Sequence, residues 1–512
     1  MAILGRGDWS VNSLCMPCIL AAAVSGCLAD QSRADDDDRF YQHAKGYADA
    51  MLLHAQDTYG DQQSSLMLSM IDRSRLAPFS SMPREPHGIR NSDRVSPHGA
   101  NVNLDFNLYR LLYALSEVTG EPRYRENADK ALRVFLEVTP SPTTGLFAWG
   151  EHLCWDLKSD SPGTNCRSDP SKGHEIIYIH EPKRPTVLSD KFYEFNEKAM
   201  VGYAHALWEH QIGDHSTGNF SRHAYYDHHE PGLNFDFPKE GGYFLHDWAR
   251  AHQRTRDERF LNYINILADR YLEKSRKTGD SLVAFDSQRE YADTSASLSL
   301  AIDATHAANL LPEGPDRDKL LRLAAALDKG LLGLPHDVSD KGFVMYVTTD
   351  GNRELYSHKE NGGYSYLWSM KYGRKTTGML GTLCFSRAAQ LGDSREGKAY
   401  RELAIHAADK YFNEAPDRSE RPWPLELGIV TNLELLAYRE TGDSKYLERA
   451  KDIADHGIDF FWTEGNPLPK ADPEAAHYEN ITRADTLAYA MLAIHVIENR
   501  LPAELGDLDI DR

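Results

Sequence analysis

The 512-residue chain predicts a mainly α fold, an α/α toroid assembled from helical hairpins, with small antiparallel β pieces around a cleft. Two observations carry that prediction. One is a recurring unit: an apolar periodic helix, a Gly/Asp turn, and an aromatic residue opening the next helix. The other is the irregular spacing of these units, broken by long inserts rich in Gly, Pro, His and aromatic residues. A closed ring with inserts suits that spacing better than an open solenoid.

Composition sets the frame for both. Hydrophobic residues make up 41% and charged residues 26%, enough for a large core. The formal net charge of −20 argues against nucleic acid and anionic membrane surfaces as partners. It also opposes an acidic substrate at long range, so such a ligand needs a locally basic cleft or a cation.

The N-terminus reads as an export signal. Arg6 precedes an apolar run over residues 13–23 that is too short for a membrane span. Val24-Ser25-Gly26-Cys27 then reads as a lipobox that would make Cys27 a lipidated first residue; cleavage near Ala29 is the other reading. Either places the protein outside the cytoplasm, in the periplasm or anchored to the outer membrane of a bacterium. Asp35 to Asp38 form an acidic linker, so residues 1–38 are read as leader and linker and 39–512 as one catalytic domain.

The hairpin units follow. Thr119-Gly120-Glu121-Pro122-Arg123-Tyr124 is the first, and Thr255-Arg256-Asp257-Glu258-Arg259-Phe260 the second. Leu391-Gly392-Asp393-Ser394 and Thr441-Gly442-Asp443-Ser444-Lys445-Tyr446 are the others. Gly suits the position just past a helix, and Asp or Ser suits the next N-cap. Inserts are expected over residues 82–100, 145–194, 214–243, 342–377 and 464–483, with β-like runs at 175–179 and 342–347. Function is expected in these inserts. Cys154 and Cys166 flank a loop and form either a disulfide or two thiols.

Histidine is the informative residue, with 22 in the chain. Trp149-Gly150-Glu151-His152, His174-Glu175, Trp208-Glu209-His210-Gln211-Ile212-Gly213-Asp214 and Ser221-Arg222-His223 fall within one stretch. Two imidazoles and a carboxylate can hold a transition metal such as Mn, Co, Ni or Zn with positions left open; Ca²⁺, which prefers oxygen, suits them less. A histidine in a polar loop is also commonly a hydrogen-bonded surface residue.

These segments, in this order and at similar separations, resemble polysaccharide lyase family 2, the pectate and exopolygalacturonate lyases, over about residues 140–230. The resemblance implies an α/α barrel and a divalent metal, usually manganese. It implies His152, Glu175 and His223 as metal ligands and Arg222 as the base. The family usually has Gly where this chain has Glu151, and Leu-Lys after the His-Glu pair where this chain has Ile176-Ile177. Those departures bear on substrate identity.

The implied reaction is β-elimination on an acidic, uronate-containing polysaccharide or oligouronide. Charge withdrawal from the uronate carboxylate makes the neighbouring proton removable. Arg222 is either that base or a carboxylate clamp, with a Tyr, Lys or His as base in the second case. Lys371 and Arg374, three apart, are either a clamp for sugar carboxylates or a solvated basic stretch. Tyr364, Tyr243, Tyr478 and Arg483 are expected to face the cleft, and Trp149 is a sugar platform or a packing residue. Two other classes stay open. One is a glycoside hydrolase or sugar epimerase on the same toroid, with Asp105, Asp247 and Asp485 as acid candidates. The other is a carbohydrate-binding lipoprotein without turnover.

Overall fold

The computed structural model holds thirteen α-helices and a few short strands among its described residues. It describes residues 39–59, 62–165, 177–184, 186–230, 232–277, 281–357, 360–369 and 371–503, and positions 505, 508 and 510. The export leader, the lipobox at Cys27, the acidic linker, Cys166 and Glu175 lie outside the described residues.

The helices are α1 (Arg39–Ala50), α2 (Phe106–Thr119), α3 (Pro122–Val138), α4 (Ser189–Ala206), α5 (Pro238–Thr255), α6 (Glu258–Lys277) and α7 (Thr294–Leu310). They continue with α8 (Pro315–Leu332), α9 (Thr377–Leu391), α10 (Arg395–Lys410), α11 (Pro424–Thr441), α12 (Ser444–Phe461) and α13 (Ala484–Glu498). Alternate helices form an inner ring. In order α5 packs on α7, α7 on α9, α9 on α11, α11 on α13, and α13 returns to α2, while α4 spans from α3 to α5. This closed order is an α/α toroid.

Sequence decides which helix goes inside. The α7 segment is rich in Ala, Ser and Leu and is buried almost throughout, Ser295, Ser297, Ser299 and Asp303 included. A helix of small residues without a charged stripe suits the inner ring, where it is covered all round. By contrast α12 buries one stripe, Tyr446, Ala450, Ile453, Ala454, Gly457, Phe460 and Phe461, and of its charges only Arg449 is buried with them. The seam that closes the ring is polar. Asn107 Nδ2 donates to Thr486 Oγ1 at 3.0 Å, and the Leu108 backbone N–H donates to Asp485 Oδ2 at 3.1 Å.

The hairpin turns form as their residues dictate. Gly120 and Gly442 adopt left-handed backbone (φ +74° and +70°) just past α2 and α11. Asp443 and Ser394 accept backbone N–H groups of the following helices. After α5 the same left-handed position is held by Arg256 (φ +59°), a residue with a Cβ.

The N-terminal ends of the inner helices meet at one cleft. Lys239 of α5, Ser295 of α7, Thr376 and Met379 at the start of α9, Glu426 of α11 and Ile481 before α13 all line it. All five expected inserts reach this cleft, through Arg90, Glu151 and Lys183, Arg222 and Phe237, Tyr372 to Thr376, and Ile481. The inserts carry paired short strands, Ile179–His180 with Ala224–Tyr225, and Tyr291–Asp293 with Tyr346–Thr348, both antiparallel.

Candidate metal centre and cleft

Three separate stretches of chain are drawn together by backbone pairing. Antiparallel pairing sets His180 opposite Ala224, which brings Glu181 beside His223. A parallel bridge joins Gly150 to Glu181, and the Glu151 N–H donates to the Glu181 carbonyl at 3.0 Å. Gly150 has φ +108°, and a Cβ there would stand 2.1 Å from the Glu181 carbonyl oxygen, so this close crossing requires glycine. Asn101 clamps the same loop by donating from Nδ2 to the carbonyls of Gly150 and Leu153.

The product of this crossing is a cluster. His152, Glu181 and His223 each offer one ligand atom, and these atoms lie within 4.8 Å of one another. His152 Nδ1 lies 2.8 Å from the Ser92 carbonyl, which fixes that nitrogen as the donor and leaves Nε2 with a lone pair toward Glu181, 3.6 Å from Oε2. His223 Nε2 approaches Glu181 Oε2 to 2.8 Å, yet neither atom makes a well-directed hydrogen bond. Glu181 is fully buried, whereas the His223 side chain is one-third exposed. Glu181 Oε2 and His223 Nε2, both buried and poorly satisfied, converge with His152 Nε2, and this set of two imidazoles and a carboxylate fits a divalent transition metal.

Behind the cluster a neutral network holds the strands. His180 is buried, and burial pushes its imidazole down to about 4. Its Nε2 accepts from Trp149 Nε1 and its Nδ1 lies 3.2 Å from Gln211 Oε1. Gln211 Nε2 donates to the Ser221 carbonyl at 2.8 Å. Strand 179–180 and the Ser221-Arg222-His223 segment are therefore tied through one glutamine, which sits in the π-helical turn Leu207–Gln211 at the end of α4.

Charge is arranged around the cluster. The Arg222 guanidinium lies over the rings of Phe235 and Phe237, 4.7 and 4.9 Å from their centres, and Nη1 donates to Glu181 and reaches Glu151 at 3.5 Å. Lys183 pairs with Glu151 and stands 3.7 Å from Glu181. Burial works against the charge of Glu181, but Lys183, Arg222 and His223 outweigh it and hold the carboxyl well below the usual range. Burial likewise opposes the Arg222 charge, and Glu181, Glu151 and Glu240 reverse the effect and raise it.

The cleft beyond is basic. Arg90, Lys183, Arg222, Lys239, Arg374 and Lys375 line it, against Glu151, Asp293 and Glu426. This excess of cations inverts the sign of the whole molecule at the one place where the inner-helix N-termini also point.

Of the residues expected from sequence, His152, His223, Arg222 and Arg374 reach the cluster or the cleft, and Arg374 lies over the Tyr366 ring at 4.5 Å. Glu175 lies outside the described residues; the carboxylate that joins the two histidines is Glu181. A sequence signal for it existed. His180-Glu181 is a second His-Glu pair six residues on, and Lys183 follows it where the family's pattern has Leu-Lys.

Other expected residues are elsewhere. Trp149 is 1% exposed and packs among Phe106, Phe135, Phe147 and Tyr203, so it is a core residue and not a sugar platform. Tyr478 is buried with its hydroxyl 2.9 Å from that of Tyr47, and buried Arg483 pairs with Asp485. Tyr478 is held against α1 and Arg483 at the ring-closing seam, and neither lines the cleft, which Ile481 between them does reach. Asp105 belongs to the same interior group, accepting from Asn480 Nδ2 at 3.0 Å. Tyr243 is buried beneath the site and donates to the Lys183 carbonyl at 3.2 Å. Tyr364 is partly buried near Lys341, and Lys371 is exposed; neither is among the residues lining the cleft. Cys154 is buried and its thiol donates to the Gly163 carbonyl at 3.3 Å. Among the described residues no helix is long and apolar enough to cross a membrane.

Comparison with known proteins gives two findings. The family model described as periplasmic pectate lyase matches residues 84–293, the segment that carries His152, Glu181, Arg222 and His223. Solved structures with a similar course of chain include a D-mannose isomerase (10% identity, 91% of this chain and 99% of that one, TM-score 0.47). Others are the cellobiose 2-epimerase of Bacillus thermoamylovorans B4167 (9%, 90% and 99%, TM-score 0.45) and an α-1,6-mannanase of Salegentibacter sp. HEL1_6 (10%, 89% and 99%, TM-score 0.42). At such identities and scores nothing about the reaction of this chain follows from them.

Proposed function

We propose, from the match of residues 84–293 to the periplasmic pectate lyases, that this chain is an exported metal-dependent lyase that cleaves a uronate-containing polysaccharide by β-elimination. The observation that carries the proposal is the convergence of His152, Glu181 and His223 beside Arg222, at the mouth of a cation-lined cleft. A glycosidase requires two carboxyl groups across the scissile bond. Of its sequence candidates, Asp105 and Asp485 are buried at the ring seam, and Asp247 is 6% exposed and accepts from Thr186.

His152, Glu181 and His223 would hold the metal, of which manganese is the first candidate. When bound there, a divalent ion would draw charge from the substrate carboxylate and make the proton on the adjacent carbon more acidic. The remaining work falls to the chain's own side chains. Lys183, Lys239 and Arg374 offer cations to uronate carboxylates, aided by the helix N-termini around them. Phe235 and Phe237 wall one side of Arg222 and limit water around its guanidinium. Arg222 takes the proton in this reading. A guanidinium releases its own proton only at high pH, so turnover is expected to rise toward alkaline pH.

The test is ultraviolet absorbance of the unsaturated product during digestion of polygalacturonate and other polyuronates, with Mn²⁺ and with a chelator. Absorbance that needs the metal and is lost in Arg222→Ala and His223→Ala is the expected result. Calorimetric Mn²⁺ binding that survives in Arg222→Ala but not in His223→Ala would separate the two roles. No unsaturated product from any polyuronate, with or without metal, would overturn the reading in favour of a hydrolase or a binding protein.

A further inference from the structure

Elimination leaves a second proton unassigned, the one that the departing glycosidic oxygen must gain. We propose that Glu426 is the proton donor to that oxygen, an inference that rests on the lyase reading above.

Three observations meet at this residue. Glu426 stands in the first turn of α11, lines the same cleft as Arg222 and Lys183, and is only 4% exposed. Its carboxyl is oriented by the Thr376 hydroxyl and the Ser369 backbone N–H, while Oε2 has no hydrogen-bond partner. An oriented, buried carboxyl with one oxygen left over in a polar cleft is built to meet a ligand atom. Its charged neighbours complete the setting. Lys375, just before α9, also lines the cleft. Tyr411, after α10, senses the carboxyl; its hydroxyl is occupied, donating to the Leu367 carbonyl and accepting from the Gly378 N–H. Lys375 is in turn faced by Lys239, Lys183, Asp293 and Glu240.

The protonation state agrees with this geometry. Burial pushes the Glu426 carboxyl up to about 8, so it carries its proton at neutral pH despite Lys375. Burial and Lys239 push the Lys375 amine down to about 7. An acid near the working pH is the efficient donor.

The step balances. The base removes the proton from the carbon next to the uronate carboxylate, and the electron pair forms the carbon–carbon double bond. The bond to the glycosidic oxygen breaks, and the Glu426 proton moves to that oxygen, which leaves as a hydroxyl. Glu426 is left as a carboxylate and regains a proton from solvent before the next turnover.

The experiment uses the Mn²⁺-loaded full chain and two substrates, a uronate polymer that the wild type degrades and a uronide bearing a 4-nitrophenyl ether as leaving group. Nitrophenolate departs without help from an acid; a sugar hydroxyl does not. Glu426→Gln is expected to lower kcat on the polymer about 10²–10⁴-fold and to spare nitrophenol release. The wild-type profile supplies a second reading that needs no variant to fold. Polymer cleavage should stop rising above about pH 8, where Glu426 gives up its proton, and nitrophenol release should go on rising with deprotonation of the base. Equal loss on both substrates, no loss on either, or the same alkaline course for both would overturn the assignment and leave the lyase reading standing. Absence of unsaturated product from wild type would instead remove the lyase reading and this assignment with it.

Discussion

Gly150 shows how much of this site depends on single backbone positions. The carbonyl of Glu181 lies where its Cβ would be, and the peptide that follows carries Glu151 and His152. Gly150→Ala must push the two segments apart at a left-handed position, where an added side chain is strained in any case. Loss of Mn²⁺ binding by calorimetry, with a lowered Tm, is the expected outcome; unchanged affinity would show that the crossing does not set the ligand geometry. Glu151 is the companion case. The family usually has Gly there, and in this chain the carboxylate pairs with Lys183 and reaches Arg222. The departure therefore brings one more carboxylate among cations and leaves the histidine–carboxylate cluster intact.

At the scale of elements, the hairpin turns show sequence and structure agreeing, with one informative exception. Gly120, Gly392 and Gly442 follow their helices as the turn pattern predicts, each at positive φ. Arg256 fills the equivalent place after α5 at φ +59° and its N–H still donates to the His252 carbonyl at 2.8 Å. A residue with a Cβ is strained there, so Arg256→Gly is expected to raise stability by up to about 1 kcal/mol, read by thermal unfolding. A lower Tm would mean that the arginine side chain contributes more than the strain costs. The inserts that reach the cleft were legible because Gly, Pro, His and aromatics interrupt the helical period. Their pairing was not, since strands of two or three residues carry too few side chains to reveal a register. Local sequence does not distinguish the two His-Glu pairs, and strand pairing brings the second to His223.

For the molecule as a whole, the closed ring buries charge-bearing positions that a helix pattern leaves ambiguous. Glu434 of α11 is fully buried, and neither carboxyl oxygen has a hydrogen-bond partner. Burial, helped by Asp409 and opposed by Arg449, pushes the carboxyl up to about 9. The folded protein thus binds a proton that the unfolded chain releases above its ordinary value of 4.5. The contribution is complete below that value and is lost as pH rises toward about 9, at up to about 1.4 kcal/mol per pH unit. Glu434→Gln removes this linkage, so Tm should fall less steeply from about pH 5 to about pH 9 than in the wild type. Parallel profiles would show that Glu434 is charged in the fold.

The helical-hairpin plan, its turns and the places of the inserts were written in local residue order. Apolar period, small residues and Gly/Asp signals act within a few residues of one another, as the evenly buried α7 and the striped α12 show. The same holds for His152, Arg222 and His223, whose chemistry is rare enough to stand out in a short motif. The carboxylate that joins the two histidines, the basic cleft inside a chain of net charge −20, and the burial of Trp149, Tyr478 and Arg483 depended on the tertiary structure. Each rests on groups far apart in sequence, brought together only when the ring closes and its inserts cross. Exposure and protonation are set there by neighbours from other helices, which local sequence does not specify.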